Sequence, residues 1–365
     1  MRISGIDVFP VRVPLKRSFS NAHVTKTYQE SIILKVSTDS KLDGVGNVDP
    51  DPGYSEESFS ETLASIRRLA RELIGLDPLN ILAALDSMDR ILPGHLDAKA
   101  AVEMALFDLK GKALGIPVHS LLGGQLRDVI YLNGWIGMLS PDDAAREAHS
   151  WLERGFRSAK VKIGSGIQQD RDRVKAVREA VGAKLALRVD ANEGYTVDEA
   201  IQLAKAIAPF AVCLFEQPVS RHDLEGMAKV RKAVEIPIMA DESIIGPATL
   251  VQVIKKEAAD IVKVKVMKQG GIHRTVQMIE MAEAAGIKCV IGHGFGLAIN
   301  TLAEIHVAAC CRNLLEGCEF VGPLKMQGDV VKEPLAMDDG KVKVPNGKGL
   351  GSEINLGKLK EWLVA

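Results

Sequence analysis

The pattern of apolar and polar residues changes character at about residue 125. Residues 2–13 and 31–37 alternate between apolar and polar side chains, which is typical of half-buried strands. Three stretches with helical spacing of apolar residues follow, near 55–74, 78–92 and 98–114. The sequence therefore predicts an α+β domain over residues 1–125.

From about residue 129, short apolar runs alternate with amphipathic helical patterns. The apolar runs are VIYLNGWI, AKVKI, LALRVD, AVCLFE, IPIMAD, IVKVKV, KCVIGH and CEFV. Eight strand-like runs separated by helices predict an α/β fold, a (β/α)7β-type TIM barrel whose eighth helix is short or missing. We place this barrel at residues 126–322. The C-terminal segment, residues 323–365, is expected to return to the N-terminal domain and complete it as a cap.

The amino-acid composition limits the partners and the cellular compartment that we expect for this protein. Lys plus Arg number 46 and Asp plus Glu number 47, so the charge gives no reason to propose nucleic acid or a membrane surface as a partner. The five cysteines are odd in number and lie mostly in apolar runs, which indicates buried thiols in a reducing compartment. No apolar run reaches the roughly 18 residues of a membrane span. The charged N-terminus does not resemble a signal peptide, so a cytoplasmic protein is expected.

Three acidic residues end successive apolar runs in the middle of the predicted barrel: Asp190, Glu216 and Asp241. Each is about one strand-helix unit from the next, and a single acid at such a junction is also typical of a helix cap. Three unpaired acids side by side at a barrel mouth would repel one another, and a divalent cation removes that repulsion. All-oxygen ligands favour Mg²⁺, with Mn²⁺ as a substitute, over zinc.

Lysines flank these acids on two predicted strands. Lys160 and Lys162 share one face of the second barrel strand, and Lys263 and Lys265 share one face of the sixth. A solvated surface pair is the alternative for the first two, but the apolar neighbours of a buried parallel strand argue against it. A lysine beside another cation has a lowered pKa, which suits a general base. Lys268 follows the sixth strand in the turn KQGG and is expected to support the site indirectly or to begin the next helix.

The second and sixth strands lie half-way round an eight-stranded barrel from each other. Lys162 and Lys265 should therefore face each other across the metal site. Two opposed bases can remove a proton from one face of a carbon and return it on the other. The apolar rings of Trp135, at the top of the first strand, and Phe295, after the seventh, could line an apolar or cation-π pocket, or could belong to the core.

Taken together, these motifs resemble the enolase superfamily and, within it, the muconate-lactonizing-enzyme-like subgroup, also known as mandelate racemase/muconate lactonizing enzyme. The resemblance covers nearly the whole chain. The segment AKAAVEMALFDLKGKALGIPVHSLLGG is similar to the junction between the family's cap and barrel. The barrel-strand signatures are AKVKIG, RVDANEG, FEQP, ADES and KVMKQGG, and the last strand and tail are CEFVGPL and PNGKGLGSEIN.

The resemblance implies roles for individual residues. The positions that match the family's bases and Mg²⁺ ligands are Lys160, Lys162, Asp190, Glu216, Asp241 and Lys265. Asn192 matches a polar residue that follows the first ligand and supports it. Glu319 resembles a substrate-contacting position of lactonizing enzymes, where dipeptide epimerases carry D-x-D. His293 ends the seventh strand, but the His–Asp dyad of mandelate-racemase-like enzymes is absent because the sixth strand carries Lys265. His293 is therefore expected to contact substrate or to belong to loop structure.

The implied reaction is Mg²⁺-dependent removal of the α-proton of a small carboxylate substrate through an enolate intermediate. Lysines on both faces favour racemisation or epimerisation of an amino-acid derivative. Dehydration of a hydroxylated amino acid such as hydroxyproline, muconate-type cycloisomerisation and a non-catalytic barrel are the alternatives. We also expect a homo-oligomer, as in relatives of this family.

Substrate choice is expected to depend on two loops of the N-terminal domain, residues 18–28 and 48–57, which would close over the barrel mouth. Asp49 and Asp51 in the second loop are interpreted as solvated turn acids or as groups that attract a cation.

Overall fold

The computed structural model describes residues 1–20, 25–51 and 55–364, without the side chain of Ser20. Parts of the two predicted substrate loops therefore lie outside the described residues. The chain begins with a three-stranded antiparallel sheet in the order β1-β2-β3, whose strands are β1 (Ile3–Ser20), β2 (Thr25–Thr38) and β3 (Asp43–Val48).

Three helices cover this sheet: α1 (Phe59–Glu72), α2 (Ile81–Ile91) and α3 (Leu96–Leu114). They confirm the three predicted helical stretches. α1 begins with a capping box in which Ser58 and Glu61 satisfy each other's backbone N–H groups. α3 packs so closely on β3 that a Cβ atom at Gly46 would lie 1.9 Å from the carbonyl oxygen of Ala101. Glycine is therefore required at this contact.

The barrel is a seven-stranded parallel sheet in the order β11-β10-β9-β8-β7-β6-β5. Its strands are β5 (Gly134–Ile136), β6 (Ser158–Lys162), β7 (Ala186–Asp190), β8 (Val212–Glu216), β9 (Ile238–Ala240), β10 (Ile261–Val264) and β11 (Lys288–Ile291). The helices that accompany them are α4 (Val118–Leu121), α5 (Pro141–Glu153), α6 (Ile167–Val181), α7 (Val197–Ile207), α8 (Leu224–Ala233), α9 (Pro247–Lys255), α10 (Ile272–Ala284) and α11 (Ala298–Cys310). Single 3-10 turns lie at Gly182–Lys184 and Ala208–Phe210.

The eighth predicted strand, CEFV, does not form a regular strand. Its first two residues still close the barrel, because Cys318 N–H donates to the carbonyl of Tyr131 and Glu319 N–H donates to the carbonyl of Ile291, each at 2.9 Å. Asn133 N–H also donates to the carbonyl of Cys318 at 2.9 Å, so the segment links the chain just before β5 to β11. The short helix α12 (Gly322–Lys325) follows, which confirms the prediction of a reduced eighth helix.

The first predicted barrel strand, VIYLNGWI, is divided in two. Its first half, β4 (Val129–Tyr131), pairs antiparallel with β12 (Lys341–Lys343) of the tail, and only its second half enters the barrel as β5. The tail then continues through α13 (Leu356–Glu361) to β1, where Arg12 N–H donates to the carbonyl of Trp362 at 2.9 Å. The C-terminal segment therefore contacts both the barrel and the N-terminal sheet.

A buried carboxylate joins the N-terminal helices to the barrel. Glu103 of α3 accepts hydrogen bonds from the backbone N–H groups of Ile272 and His273, at 2.7 and 2.8 Å, at the start of α10. Burial raises the pKa of Glu103 to about 8. This contact fixes the N-terminal domain beside the sixth strand of the barrel.

All five cysteines are free, and four of them are buried or half-buried; only Cys213 is exposed. Within the described residues, no helix combines the length and apolar character that crossing a membrane requires.

Candidate active site

One cavity at the C-terminal ends of the barrel strands brings the predicted site residues together. Its empty volume, which includes space open to solvent, is about 530 Å³. The predicted residues that line it are Trp135, Lys160, Lys162, Asp190, Asp241, Lys265, His293, Phe295 and Glu319. Glu216 is fully buried beneath this cavity, where it contacts two of the lining lysines.

The three predicted metal ligands form a row across adjacent strands. Asp190 and Glu216 are paired in register at the ends of β7 and β8, and Asp241 directly follows β9. The side chains are almost completely buried, with exposed fractions of 0%, 0% and 1%. Burial and the neighbouring Asp190 raise the pKa of Glu216 to about 8, although Lys160 and Lys263 oppose the shift. The row therefore concentrates negative charge that needs compensating cations.

Lysine ammonium groups stand between the neighbouring carboxylates. Nζ of Lys160 lies 3.0 Å from Asp190 and 2.8 Å from Glu216. Nζ of Lys263 lies 3.1 Å from Glu216 and 3.8 Å from Asp241. Burial favours the neutral form of Lys160, but Asp190, Glu216 and the nearby Glu319 outweigh it and raise its pKa well above the usual value. Lys160 is thus a fixed cation and not a base.

The donor chemistry of the row fits Mg²⁺. The three side chains offer only hard oxygen atoms, they are buried, and cations already lie between them. In the described part of the chain, however, no three His, Cys, Asp or Glu side chains converge on one point as a metal centre would require. The carboxylates are turned toward the lysines instead, so binding a metal requires their side chains to rotate.

The predicted bases lie on the two ends of the acidic row. Nζ of Lys162 donates to Asp190 at 2.6 Å and to the amide oxygen of Asn192 at 2.5 Å. Nζ of Lys265 donates to Asp241 at 2.8 Å. Strands β7, β8 and β9 separate the strands that carry the two lysines. The two amines therefore approach the cavity from opposite sides.

Lys268 lies in the turn after β10, as its position in the sequence predicts, but its side chain is buried. Nζ donates to the carbonyl oxygen of Asp241 at 2.7 Å and to its Oδ1 at 2.6 Å. Burial lowers the pKa of Lys268 to about 8, with the Lys265 ammonium acting in the same direction and Asp241 against it. Lys268 therefore holds the last acid of the row, and no local pattern in the sequence indicates this contact.

Glu319 lines the cavity, but its carboxylate oxygens are engaged with protein cations. Oε2 accepts from Lys160 at 2.6 Å and from Lys263 at 2.5 Å, and Oε1 accepts from Arg188 at 3.3 Å. The three cations hold the pKa of Glu319 well below its usual value although burial opposes them. A direct contact between Glu319 and substrate stays a prediction; the structure adds that Glu319 keeps two lysines in place.

His293 lies at the cavity wall as a neutral imidazole. Its backbone N–H donates to Glu304 at 2.9 Å, while Nε2 is buried without a hydrogen-bond partner among the residues described. Burial, followed by the charges of Lys265 and Lys26, lowers the pKa of His293 well below its usual value. A substrate contact through Nε2 remains a prediction that this geometry permits.

The interpretation of Asp49 and Asp51 as solvated turn acids is wrong, because both are buried. Asp49, which directly follows β3, accepts from Ser31 of β2 at 2.5 Å and from Asn300 of α11 at 2.9 Å, so it links the N-terminal sheet to α11. Asp51 lies at the cavity and forms a 2.7 Å ion pair with Lys26. Asp51 does attract a cation, but the cation belongs to the protein. The packing of α11 against β3 causes this burial, and local sequence does not reveal it.

Two lysines beside the cavity residue Phe295 were missed by the sequence interpretation, and one of them, Lys325, lines the cavity itself. Lys26 belongs to β2, and Lys325 ends the short helix α12. Both ammonium groups lie over the ring of Phe295, at 3.9 and 4.0 Å from its centre. The only available signal was the position of Lys325 directly after the last strand-like run, which is too weak to single out one lysine among many.

Comparison with known proteins agrees with this fold. Residues 3–123 match the family model described as "Mandelate racemase / muconate lactonizing enzyme, N-terminal domain", and residues 143–358 match "Enolase C-terminal domain-like". Both matches indicate the enolase class of proteins, whose sites use a Lys or His base together with Mg²⁺. The chain belongs to the mandelate racemase/muconate lactonizing enzyme family of the enolase superfamily.

Three relatives illustrate the range of the family. An N-succinyl-L-Arg/Lys racemase of Bacillus cereus is 34% identical over 100% of this chain and 98% of its own, and its crystal structure superposes with a TM-score of 0.97. A dipeptide epimerase of Enterococcus faecalis, solved with Mg and L-Leu-L-Tyr, is 33% identical with a TM-score of 0.93, covering 97% of this chain and 100% of that one. Muconate cycloisomerase 1 of Rhodococcus opacus is 31% identical over 99% of this chain and 98% of its own.

Proposed function

We propose that this protein racemises or epimerises an amino-acid derivative by removing its α-proton and returning a proton to the opposite face. The observation that carries the proposal is the placement of Lys162 and Lys265 at the two ends of one acidic row in one cavity. A dehydratase or a cycloisomerase needs only one of these amines to act on the α-carbon, whereas stereochemical inversion uses both.

Different residues of the chain have different roles in the proposed reaction. The substrate carboxylate enters beside the ammonium group of Lys160, which stays charged because three acids surround it. Lys162 takes the α-proton from one face through Nζ, and Lys265 delivers a proton to the other face through its own Nζ; the roles exchange for the opposite enantiomer. Asn192 orients Lys162 through its 2.5 Å hydrogen bond. Mg²⁺ held by Asp190, Glu216 and Asp241 would supply Lewis-acid stabilisation of the negative charge that develops on the carboxylate.

The substrate class follows from the cavity and from the relatives together. The cavity accepts a small molecule and presents cations at its base, which suits a carboxylate. The racemase and the epimerase named above act on amino-acid derivatives, which supports the same class here. We further propose that Mn²⁺ can replace Mg²⁺, and that the protein is a homo-oligomer. Light scattering that returned the monomer mass of 39.4 kDa at micromolar concentration would contradict the last point.

Exchange of the α-hydrogen in D₂O tests the proposed function. The protein is incubated with Mg²⁺ and single enantiomers of N-acyl amino acids, dipeptides and hydroxylated amino acids, and the products are read by mass spectrometry and chiral chromatography. We expect deuterium at the α-carbon together with inversion. Loss of water from a hydroxylated substrate without inversion would favour the dehydratase, and conversion of muconate alone would favour the cycloisomerase. Absence of any exchange would favour the non-catalytic barrel.

A further inference from the structure

Lys325 presents an ammonium group to the cavity without an acidic partner. Its side chain is buried, and Nζ lies 4.0, 4.5 and 4.9 Å from the ring centres of Phe295, Trp135 and Phe19. Within the described residues, Nζ of Lys325 forms no hydrogen bond and no ion pair. The internal segments outside the description, residues 21–24 and 52–54, contain no Asp or Glu that could supply an anion.

Lys26 provides a comparison, because its ammonium group contacts the same ring but has polar partners. Its ammonium group also lies over Phe295, but it forms a 2.7 Å ion pair with Asp51 and a 2.7 Å hydrogen bond with Gln29. Asp51 is therefore already neutralised by Lys26. Burial, followed by the positive charges of Lys162 and Lys26, lowers the pKa of Lys325 well below its usual value. A buried cation in such surroundings is costly unless an anion joins it.

The position of Lys325 also indicates where that anion would come from. Lys325, Phe19, Trp135 and Phe295 form a wall shared by the catalytic cavity and a larger neighbouring cleft. The cleft carries four further cations, Lys16, Arg17, Arg146 and Arg154, against two acids, Asp143 and Glu147. A ligand that extends from the catalytic lysines toward this cleft must pass Lys325 and meets a net positive surface.

We propose that Lys325 binds a second carboxylate of the substrate, distant from the carboxylate attached to the reacting carbon. The substrate is then a dicarboxylate, with the second acid either at the end of an N-acyl chain or on the amino-acid side chain. A cationic group is disfavoured at this place because Lys325 and Lys26 repel it and already cover the aromatic rings. This inference rests on the proposed function and specifies the substrate for the same site.

The test compares acids with their amides, which have nearly the same shape. Exchange in D₂O is measured for N-succinyl-alanine against its terminal amide, and for N-acetyl-glutamate against N-acetyl-glutamine. We expect one acid of the two pairs to exceed its amide in kcat/KM by tenfold or more, mainly through KM. The pair that shows the preference identifies whether the second carboxylate lies on the acyl chain or on the side chain.

In the variant Lys325→Met, the ratio of kcat/KM for the preferred acid to kcat/KM for its amide should fall close to one. Lys325→Arg should retain most of this ratio. Lys332→Met, which changes an exposed lysine outside the cavity, should keep the wild-type ratio. Equal rates for acid and amide in the wild type, or an unchanged ratio in Lys325→Met, would overturn the assignment, as would preference for the cationic N-acetyl-lysine.

A binding measurement separates this inference from the proposed function. If none of the amino-acid derivatives exchanges its α-hydrogen, the proposed function fails, and titration calorimetry with glutarate and butyrate still tests Lys325. We expect glutarate to bind the wild type at least tenfold more tightly than butyrate, and this advantage to disappear in Lys325→Met. Equal binding of both acids to the wild type would contradict the role of Lys325 independently of catalysis.

Discussion

The ammonium group of Lys162 lies 2.6 Å from Oδ2 of Asp190, the first acid of the row. The relationship is repeated at the other end, where Lys265 lies 2.8 Å from Asp241. Each amine is thus held at the edge of the proposed metal site by the nearest carboxylate. In the proposed reaction, this arrangement sets the direction from which each lysine reaches the α-carbon of the substrate.

Each of these lysines should serve one face of the substrate. We expect Lys162→Ala to retain α-hydrogen exchange with one enantiomer, through Lys265, and Lys265→Ala to retain it with the other. Both variants should lose net racemisation by at least a hundredfold, because one missing acid–base group costs roughly 10²–10⁴ in rate. Exchange of both enantiomers by either single variant, followed by NMR in D₂O, would show that the opposed-base geometry is wrong.

Lys268 should behave differently from the bases. The sequence places it beyond the strand and predicts a mild effect, but the structure shows it holding both the carbonyl and the carboxylate of Asp241. We therefore expect Lys268→Ala to slow exchange of both enantiomers by a similar factor. Partial recovery in Lys268→Arg would support a positioning role. Loss confined to one enantiomer would instead identify Lys268 as the second base.

Removal of divalent cations should abolish activity. Burial, followed by the charge of Asp190, raises the pKa of Glu216, so the acids of the row disfavour one another's charge, and their oxygen atoms suit Mg²⁺. We expect EDTA to stop exchange and added Mg²⁺ or Mn²⁺ to restore it. The variant Glu216→Gln should need a higher Mg²⁺ concentration for half-maximal rate. Full activity in excess chelator would contradict the metal site.

Glu319→Gln should destabilise the fold as well as the site. The substitution keeps the shape of the side chain but removes one of the two carboxylates that the buried ammonium groups of Lys160 and Lys263 share, and leaves Glu216 as the other. Breaking such a buried network costs about 3 kcal/mol in the free energy of unfolding. The exposed pair of Lys332 and Glu353 provides the control, and Glu353→Gln should change that free energy by less than about 1 kcal/mol. Both free energies are measured by urea denaturation. Equal changes for Glu319→Gln and Glu353→Gln would show that the buried ion pairs of Glu319 do not stabilise the fold.

Acid should destabilise the protein partly through His306. Its Nδ1 accepts from the backbone N–H of His119 at 3.2 Å, and burial lowers its pKa to about 4. The unfolded chain, with a His pKa near 6.5, then binds more protons between pH 4 and 6.5. The contribution of neutral His306 to the free energy of unfolding is fully present above this pH range and is lost as the pH falls through it. We expect a loss of about 2 kcal/mol at pH 5 relative to pH 8.

Urea unfolding at pH 5 and pH 8 measures this loss, and the variant His306→Asn isolates it from other titrating groups. The difference between the two pH values should be smaller in the variant by about the same amount. An identical pH dependence in both proteins would show that His306 does not stay neutral in the folded state.

The sequence by itself determined the order of the elements, the barrel and the main chemistry of the site. Strand side chains repeat every two residues, so Lys160 and Lys162 had to share a face. Parallel strands joined by helices bring their C-terminal ends to one side, so Asp190, Glu216 and Asp241 had to be neighbours. These conclusions depend only on local periodicity and on the connection rules of the fold.

Only the tertiary structure decided which groups meet across the barrel. The contact of Lys160 with Glu319 joins residues 159 apart in the chain, and it depends on how the last segment closes the sheet. Tertiary packing likewise buried Asp49 and brought Lys325 against Phe295. No local pattern in the sequence predicts these contacts. A buried charge is surrounded by elements that are distant in the chain, and those elements determine its partners.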